Sequence, residues 1–176
     1  MDTFTNCMMR AARLDTSLYE EVEADPAAMR PAMQVVVLSS VAAGVGSITE
    51  GGLVGIIAIT VGTLIGWYIW AGLTYLIGTR LLAEPQTHVD MGQLLRTTGF
   101  SSSPGVIRLL GIVPGLANIV MPIAAVWMLV TMIVAVRQAL DYSSTWRAVG
   151  VCLIGWIVQV LVMVGLLVAL APSQPA

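Results

Sequence analysis

Charge is what this chain has least of. Only 10% of its 176 residues are Asp, Glu, Lys or Arg, and lysine is absent altogether. A soluble domain carries about a quarter charged residues. Eight arginines and ten carboxylates cannot cover a water-facing surface for a chain of this length, so lipid must solvate much of the exterior. The net charge of −2 excludes nucleic acid or another strongly charged partner. Histidine occurs once, as His88 in a polar stretch, so metal-ligand spacing is missing. Nucleophile motifs and Gly-rich phosphate loops are missing too, which implies no cofactor and a chain that is not an enzyme. No carboxylate lies within a long apolar run, which argues against proton- or sodium-coupled transport. Cys7 lies in a polar segment and Cys152 in an apolar run, at depths too different for a disulfide. Cys7, beside Met8 and Met9, reads either as a small apolar filler or as a lipid attachment point at the membrane surface. The first 30 residues hold six carboxylates and no apolar core of signal-peptide length, so the first span is expected to act as an uncleaved insertion signal. A Lys-free chain rich in Ala, Gly and Val fits a GC-rich bacterial genome.

Apolar residues are what it has in excess: 57% of the chain, with a mean hydropathy of +0.89. These predict an all-α membrane protein, a bundle of five transmembrane helices with cytosolic amphipathic helices before it. Residues 1–25 read as two short amphipathic helices, the second capped by Asp15 with Leu18, Tyr19 and Val22 on one face and Glu20, Glu21 and Glu23 on the other. They either pack on the bundle or headgroup layer, or dock a soluble partner through Leu18 and Tyr19. The membrane domain covers 26–171, opening at Asp25-Pro26 with a kink expected at Pro31. Its spans are placed at about 32–48, 53–78, 101–117, 119–136 and 148–170, and 172–176 is a short tail. A turn is expected over Ser47–Gly52 and a short helix capped by Asp90.

Arginine placement sets the topology, because translocating basic side chains is unfavourable. Arg10, Arg13 and Arg30 precede span one, Arg80 and Arg96 separate spans two and three, and Arg137 and Arg147 separate four and five. Five spans with a cytoplasmic N-terminus and a C-terminus on the opposite side put all seven on one side. The eighth, Arg108, falls inside span three, roughly 10 Å from its cytoplasmic end. There it either snorkels to the headgroups or forms a lipid-phosphate or anion site, with Gln159 and Asn118 among its possible neutral partners. Gly51-x-x-x-Gly55, Gly62-x-x-x-Gly66 and Gly111-x-x-x-Gly115 are helix-packing signals, serving the bundle itself or a dimer. Trp67, Tyr68 and Trp70 lie too deep for an aromatic belt, so they pack between helices or face another membrane subunit.

Four segments in order carry a family resemblance. They are Arg13-Leu14-Asp15-Thr16-Ser17-Leu18-Tyr19-Glu20-Glu21-Val22-Glu23-Ala24-Asp25-Pro26, then Trp70-Ala71-Gly72-Leu73-Thr74-Tyr75-Leu76-Ile77-Gly78-Thr79-Arg80, then Leu94 to Gly105 with Gly111-Ile112-Val113-Pro114-Gly115, and last Val136-Arg137-Gln138-Ala139-Leu140. Over about residues 10–170 the chain resembles the bacterial branch of the Yip domain (Ypt-interacting protein) family. The resemblance implies five spans and a cytosolic N-terminal segment. Eukaryotic members resemble membrane scaffolds that bind Rab-type GTPases in vesicle traffic, and that branch carries an Asp-Leu-Tyr-Gly-Pro signature. Here Leu18-Tyr19 is followed by Glu20-Glu21, so GTPase binding is not carried over. The expected role is a scaffold or accessory subunit in the bacterial inner membrane, touching lipid and either a membrane-protein partner or its own copy. The alternative is lipid handling or small-solute transport through Arg108 and the Pro/Gly-broken third span.

Overall fold

A computed structural model describes residues 3–46 and 48–170. All regular structure among them is helical. Two short helices, α1 (Phe4–Ala12) and α2 (Thr16–Ala24), precede the bundle. Leu14 turns the chain between them at φ 65°, a left-handed conformation of the kind that ends helices. Asp15 then caps α2, its carboxylate accepting from the Ser17 amide at 3.1 Å. Asp25 caps a 3-10 turn, Pro26–Ala28, that runs directly into α3 (Met29–Gly46), so the α-helix starts two residues before Pro31. The connection expected over Ser47–Gly52 is shorter than that. α4 begins at Ile48 and runs to Leu76, about 43 Å long and well beyond a ~30 Å hydrocarbon core. Ser47 itself and the tail 172–176 lie outside the described residues.

A π-helical turn, Ile77–Leu81, ends α4. α5 (Met91–Phe100) starts at a capping box in which Asp90 accepts from the Gln93 amide and Gln93 accepts from the Asp90 amide. After it comes a 3-10 helix, Ser103–Ile112, then α6 (Ala117–Ala139) and α7 (Thr145–Leu170).

Four helical segments are long and apolar enough to cross a membrane: Pro26–Gly46, Val54–Leu81, Ala117–Ala139 and Thr145–Val162. The segment expected as span three is not one of them. Pro104 and Pro114 each remove an amide donor, and Gly115 turns the chain at φ +85°, so 101–117 holds only a ten-residue 3-10 helix between turns. It lies along α3 and runs parallel to it. A β-carbon on Gly99 would meet Ala32, one on Gly105 would meet Ser39, and one on Gly111 would meet Gly46. The twelve residues from Gly99 to Gly111 therefore keep pace with fourteen of α3, about 21 Å of rise. That pace is possible because a 3-10 helix rises ~2.0 Å per residue against ~1.5 Å for an α-helix.

The seam tolerates no side chain at these points. Gly99 approaches Ala32 so closely that a β-carbon would sit 2.8 Å from its methyl and 3.1 Å from its carbonyl oxygen. Gly99→Val should therefore lower stability by about 1–3 kcal/mol, the usual cost of overpacking. Gly55→Ala, where nothing among the described residues lies within 4 Å, should not lower it and can raise it by up to about 1 kcal/mol through helix propensity. Thermal unfolding in detergent, followed by circular dichroism, compares the two.

Candidate functional site

The seam is polar inside an apolar bundle. Ser39 and Ser40 of α3, Thr97 and Thr98 of α5, Ser101–Ser103 and Thr131 of α6 are all buried. Their hydroxyls are used locally and across helices. Thr131 donates to the Ser101 carbonyl at 2.7 Å, and Trp67 donates its indole N–H to the Thr98 hydroxyl at 3.1 Å. Each bond ties α5 or its extension to a neighbour without leaving a donor in hydrocarbon. The hydroxyl run Thr97-Thr98 and Ser101–Ser103 was the available sequence signal for this polar seam, hidden because span three was expected at 101–117 and its hydroxyls had no assigned partners.

Arg108 sits on the 3-10 helix, half-buried, with its guanidinium donating to the Met128 sulfur. That sulfur is a weak acceptor, and no other hydrogen bond or carboxylate reaches Arg108 among the described residues. Met128 lies nine residues from Arg137 on α6, about 14 Å along a helix about 35 Å long. The guanidinium is thus turned toward the middle of the bundle and does not extend along α6 to the Arg137 end. Asn118 is exposed at the start of α6, and no bond joins it or Gln159 to Arg108 among the described residues. The three residues expected as one candidate site are therefore not gathered.

Gln159 belongs elsewhere. It lines a lateral cleft of about 530 Å³ with Gly62, Gly66, Trp67, Trp70 and Ser102. Its carboxamide makes no hydrogen bond among the described residues, and the buried indole N–H of Trp70 has no partner either. A β-carbon on Gly55, Gly62 or Gly66 would meet nothing within 4 Å among the described residues. These three glycines open outward instead of packing inside the chain. The surroundings of Gly51 lie outside the described residues. Gly111 packs on the 3-10 seam and Gly115 forms a turn, so that pair does not share an α-helical face.

At the other end, α2 is laid on the bundle. Leu18 and Tyr19 are buried in a cluster with Ala11, Val35, Phe100 and Ala135, leaving Glu20 and Glu21 outward. The buried Arg96 of α5 donates through Nε to the Val22 carbonyl at 2.8 Å and through Nη2 to the Glu23 carbonyl, closing the C-terminal end of α2. Nothing in the sequence marked Arg96 as more than a loop cation. Gln93 donates to the Glu23 carboxylate at 3.1 Å and Gln138 to that of Glu20 at 3.0 Å. Trp127 of α6 reaches the Ala12 carbonyl at 2.8 Å. Among the described residues no three potential ligands gather into a metal site.

Glu23 is pushed up to about 7 by burial, with the Asp141 charge adding to it and Arg96 opposing. Its proton is held more tightly in the folded chain than in the unfolded one, whose value is 4.5. The hold of α2 should therefore be tightest below about pH 4.5 and weaken as pH rises toward 7, by no more than about 3 kcal/mol after screening. Hydrogen exchange of the Leu18–Val22 amides, corrected for intrinsic rate, should show that loss, and Glu23→Gln should abolish it.

One family model, described as the Yip1 domain, matches residues 17–167, from α2 through most of α7. No curated protein and no solved structure matches the chain.

Proposed function

The chain belongs to the Yip1 domain family, a multi-pass membrane family, and on that premise we propose that it is a non-enzymatic scaffold or accessory subunit acting by helix–helix association. The observation that carries this reading is the outward face of Gly55, Gly62 and Gly66 on α4, beside a Gln159 that makes no hydrogen bond among the described residues. Gly55, Gly62 and Gly66 leave room for another backbone to approach, and small residues of this kind let transmembrane helices pack closely. Gln159 lies twelve residues into α7 from Arg147, about 18 Å, where a phospholipid offers only acyl chains. A carboxamide at that depth gains from a polar group on a second helix.

The proposed setting is the cell (inner) membrane, crossed five times with the N-terminus cytoplasmic and the C-terminus opposite. The fifth crossing is the end of α5 with the 3-10 helix. It supports this count that the segment runs parallel to α3 and that Arg10, Arg13, Arg30, Arg80, Arg96, Arg137 and Arg147 then share one side. In a variant lacking Cys7 and Cys152, Ser143→Cys should react with a membrane-impermeant maleimide only from the cytoplasmic side and Asn118→Cys only from the other. Labelling of both from one side would refute the topology.

Association is tested by mild detergent extraction and native mass spectrometry. The wild type should run with a second membrane protein or a second copy. Gly62→Ile and Gly66→Ile should lose that partner while keeping the helix content, since among the described residues nothing lies within 4 Å of a β-carbon at either position. A wild type that stays alone would sink the reading.

A second reading has one observation behind it: a guanidinium near mid-depth whose only bond among the described residues is to a thioether. Lipid handling or small-solute transport would use Arg108 and the broken third segment to hold an anionic group. Arg108→Leu should then abolish flux or lipid binding in reconstituted vesicles, and unchanged activity would count against it.

A further inference from the structure

A different face of α3 carries its own chemistry. Arg30, Met33, Gln34, Val37 and Leu38 recur at helical spacing, and with Phe4 of α1 they line a groove of about 680 Å³. Met33 and Leu38 are among the exposed large apolar side chains, 47% and 45% accessible, so this face is not used by the bundle. Gln34 lies two positions from Val36, which lines the Gln159 cleft, and so points to the opposite side of the helix.

Arg30 is exposed and makes no hydrogen bond or ion pair among the described residues. The same is true of Gln34, one turn further along. We propose that this groove binds an anionic glycerophospholipid, with its phosphate on Arg30, an ester carbonyl on the Gln34 amide, and an acyl chain along Met33, Val37, Leu38 and Phe4. The order of groups down the helix is the order of groups down such a lipid: cation against phosphate, amide donor against ester, then hydrocarbon. Successive positions along this face deepen by about 6 Å per four residues, so Leu38 lies about 12 Å below Arg30. A guanidinium matches a phosphate's oxygens in a planar, forked geometry. The preference for an anionic headgroup follows from charge. Arg30 faces no carboxylate partner among the described residues, and α1 opens without a side-chain cap at Phe4, which lines the same groove, so the positive end of its dipole lies near it. A choline lipid offers the same phosphate, but its quaternary ammonium is repelled by both. The proposal does not rest on helix–helix association, because it uses neither the glycine face nor Gln159.

The test is titration of the delipidated full chain in detergent with phosphatidylglycerol or phosphatidylcholine of matched acyl chains, read by native mass spectrometry. Phosphatidylglycerol should bind about five- to tenfold more tightly. Arg30→Gln should remove that preference, Arg30→Lys should keep most of it, and Val37→Trp, which fills the groove, should weaken both lipids. Because Arg30 makes no bond within the described chain, its loss should leave the elution profile and helix content unchanged. Equal binding of the two lipids by the wild type would mean only a lipid annulus and would overturn the proposal. So would a preference that survives Arg30→Gln, or an equal loss on replacing the exposed Arg13, which lies outside the groove.

Discussion

The bundle depends on one close approach: the backbone of residues 99–111 against the backbone of α3. Small residues on both sides, Ala32, Ser39 and Gly46 facing Gly99, Gly105 and Gly111, make it possible. In lipid there is little hydrophobic gain from bringing two apolar helices together, so van der Waals contact and hydrogen bonds have to supply the attraction. The 3-10 winding follows from the local sequence. Pro104 starts it and Pro114 ends it, and the stretched rise keeps its small residues in step with those of α3. Once that segment is in place, Thr131 bonds to its backbone and α6 is registered against it. Trp67 does the same for α4 through Thr98.

The same seam positions the N-terminal pair. Ala32, Val35 and Phe100 form the floor on which Ala11, Leu18 and Tyr19 rest. Burial of Tyr19 pushes its phenol well above the usual value, while its hydroxyl donates to the Ala11 carbonyl at 3.3 Å. Outside this floor, Arg10 gathers Asp15, Ser17 and Glu21 into one ion-pair cluster, which holds the Asp15 carboxyl down at about 2. The loop at Arg147 is closed in the same manner. Glu84 accepts from the Ser143 amide and hydroxyl and pairs with Arg147 at 3.0 Å, joining the connection after α4 to the one before α7. Polar chemistry thus rigidifies one end of the molecule, and the apolar remainder of α4, α6 and α7 is left largely to lipid or to partners.

Much of this was legible from residue patterns. Long uncharged runs place α3, α4, α6 and α7 within a few residues, because a helix is the simplest way to satisfy a backbone in hydrocarbon. Asp15, Asp25 and Asp90 are local signals and act locally, each accepting from an amide two or three residues on. The third segment was harder. Its run of apolar residues resembles a short α-helix, and only its prolines hint that the winding changes. For Arg108 the sequence leaves the side chain's direction open, since that depends on which neighbour packs beside it; its backbone lies against Gly46 and its guanidinium turns to Met128. Gln159 and Asn118 were grouped with it by polarity alone, and polarity does not determine which helices adjoin.

Composition and local pattern are enough for a multi-pass membrane chain and for the caps at Asp15, Asp25 and Asp90. Those properties follow from transfer free energies and from hydrogen bonds a few residues apart. It took the packed bundle to show that Gly55, Gly62 and Gly66 of α4 face outward among the described residues while Gly99, Gly105 and Gly111 face α3, that Arg96 is buried under α2, and that Arg30 and Gln34 share an open groove with Phe4. A glycine's spacing is the same whether its face meets a neighbour or lipid. Which one it meets depends on the packing of elements far apart in the chain, and that is a property of the whole bundle.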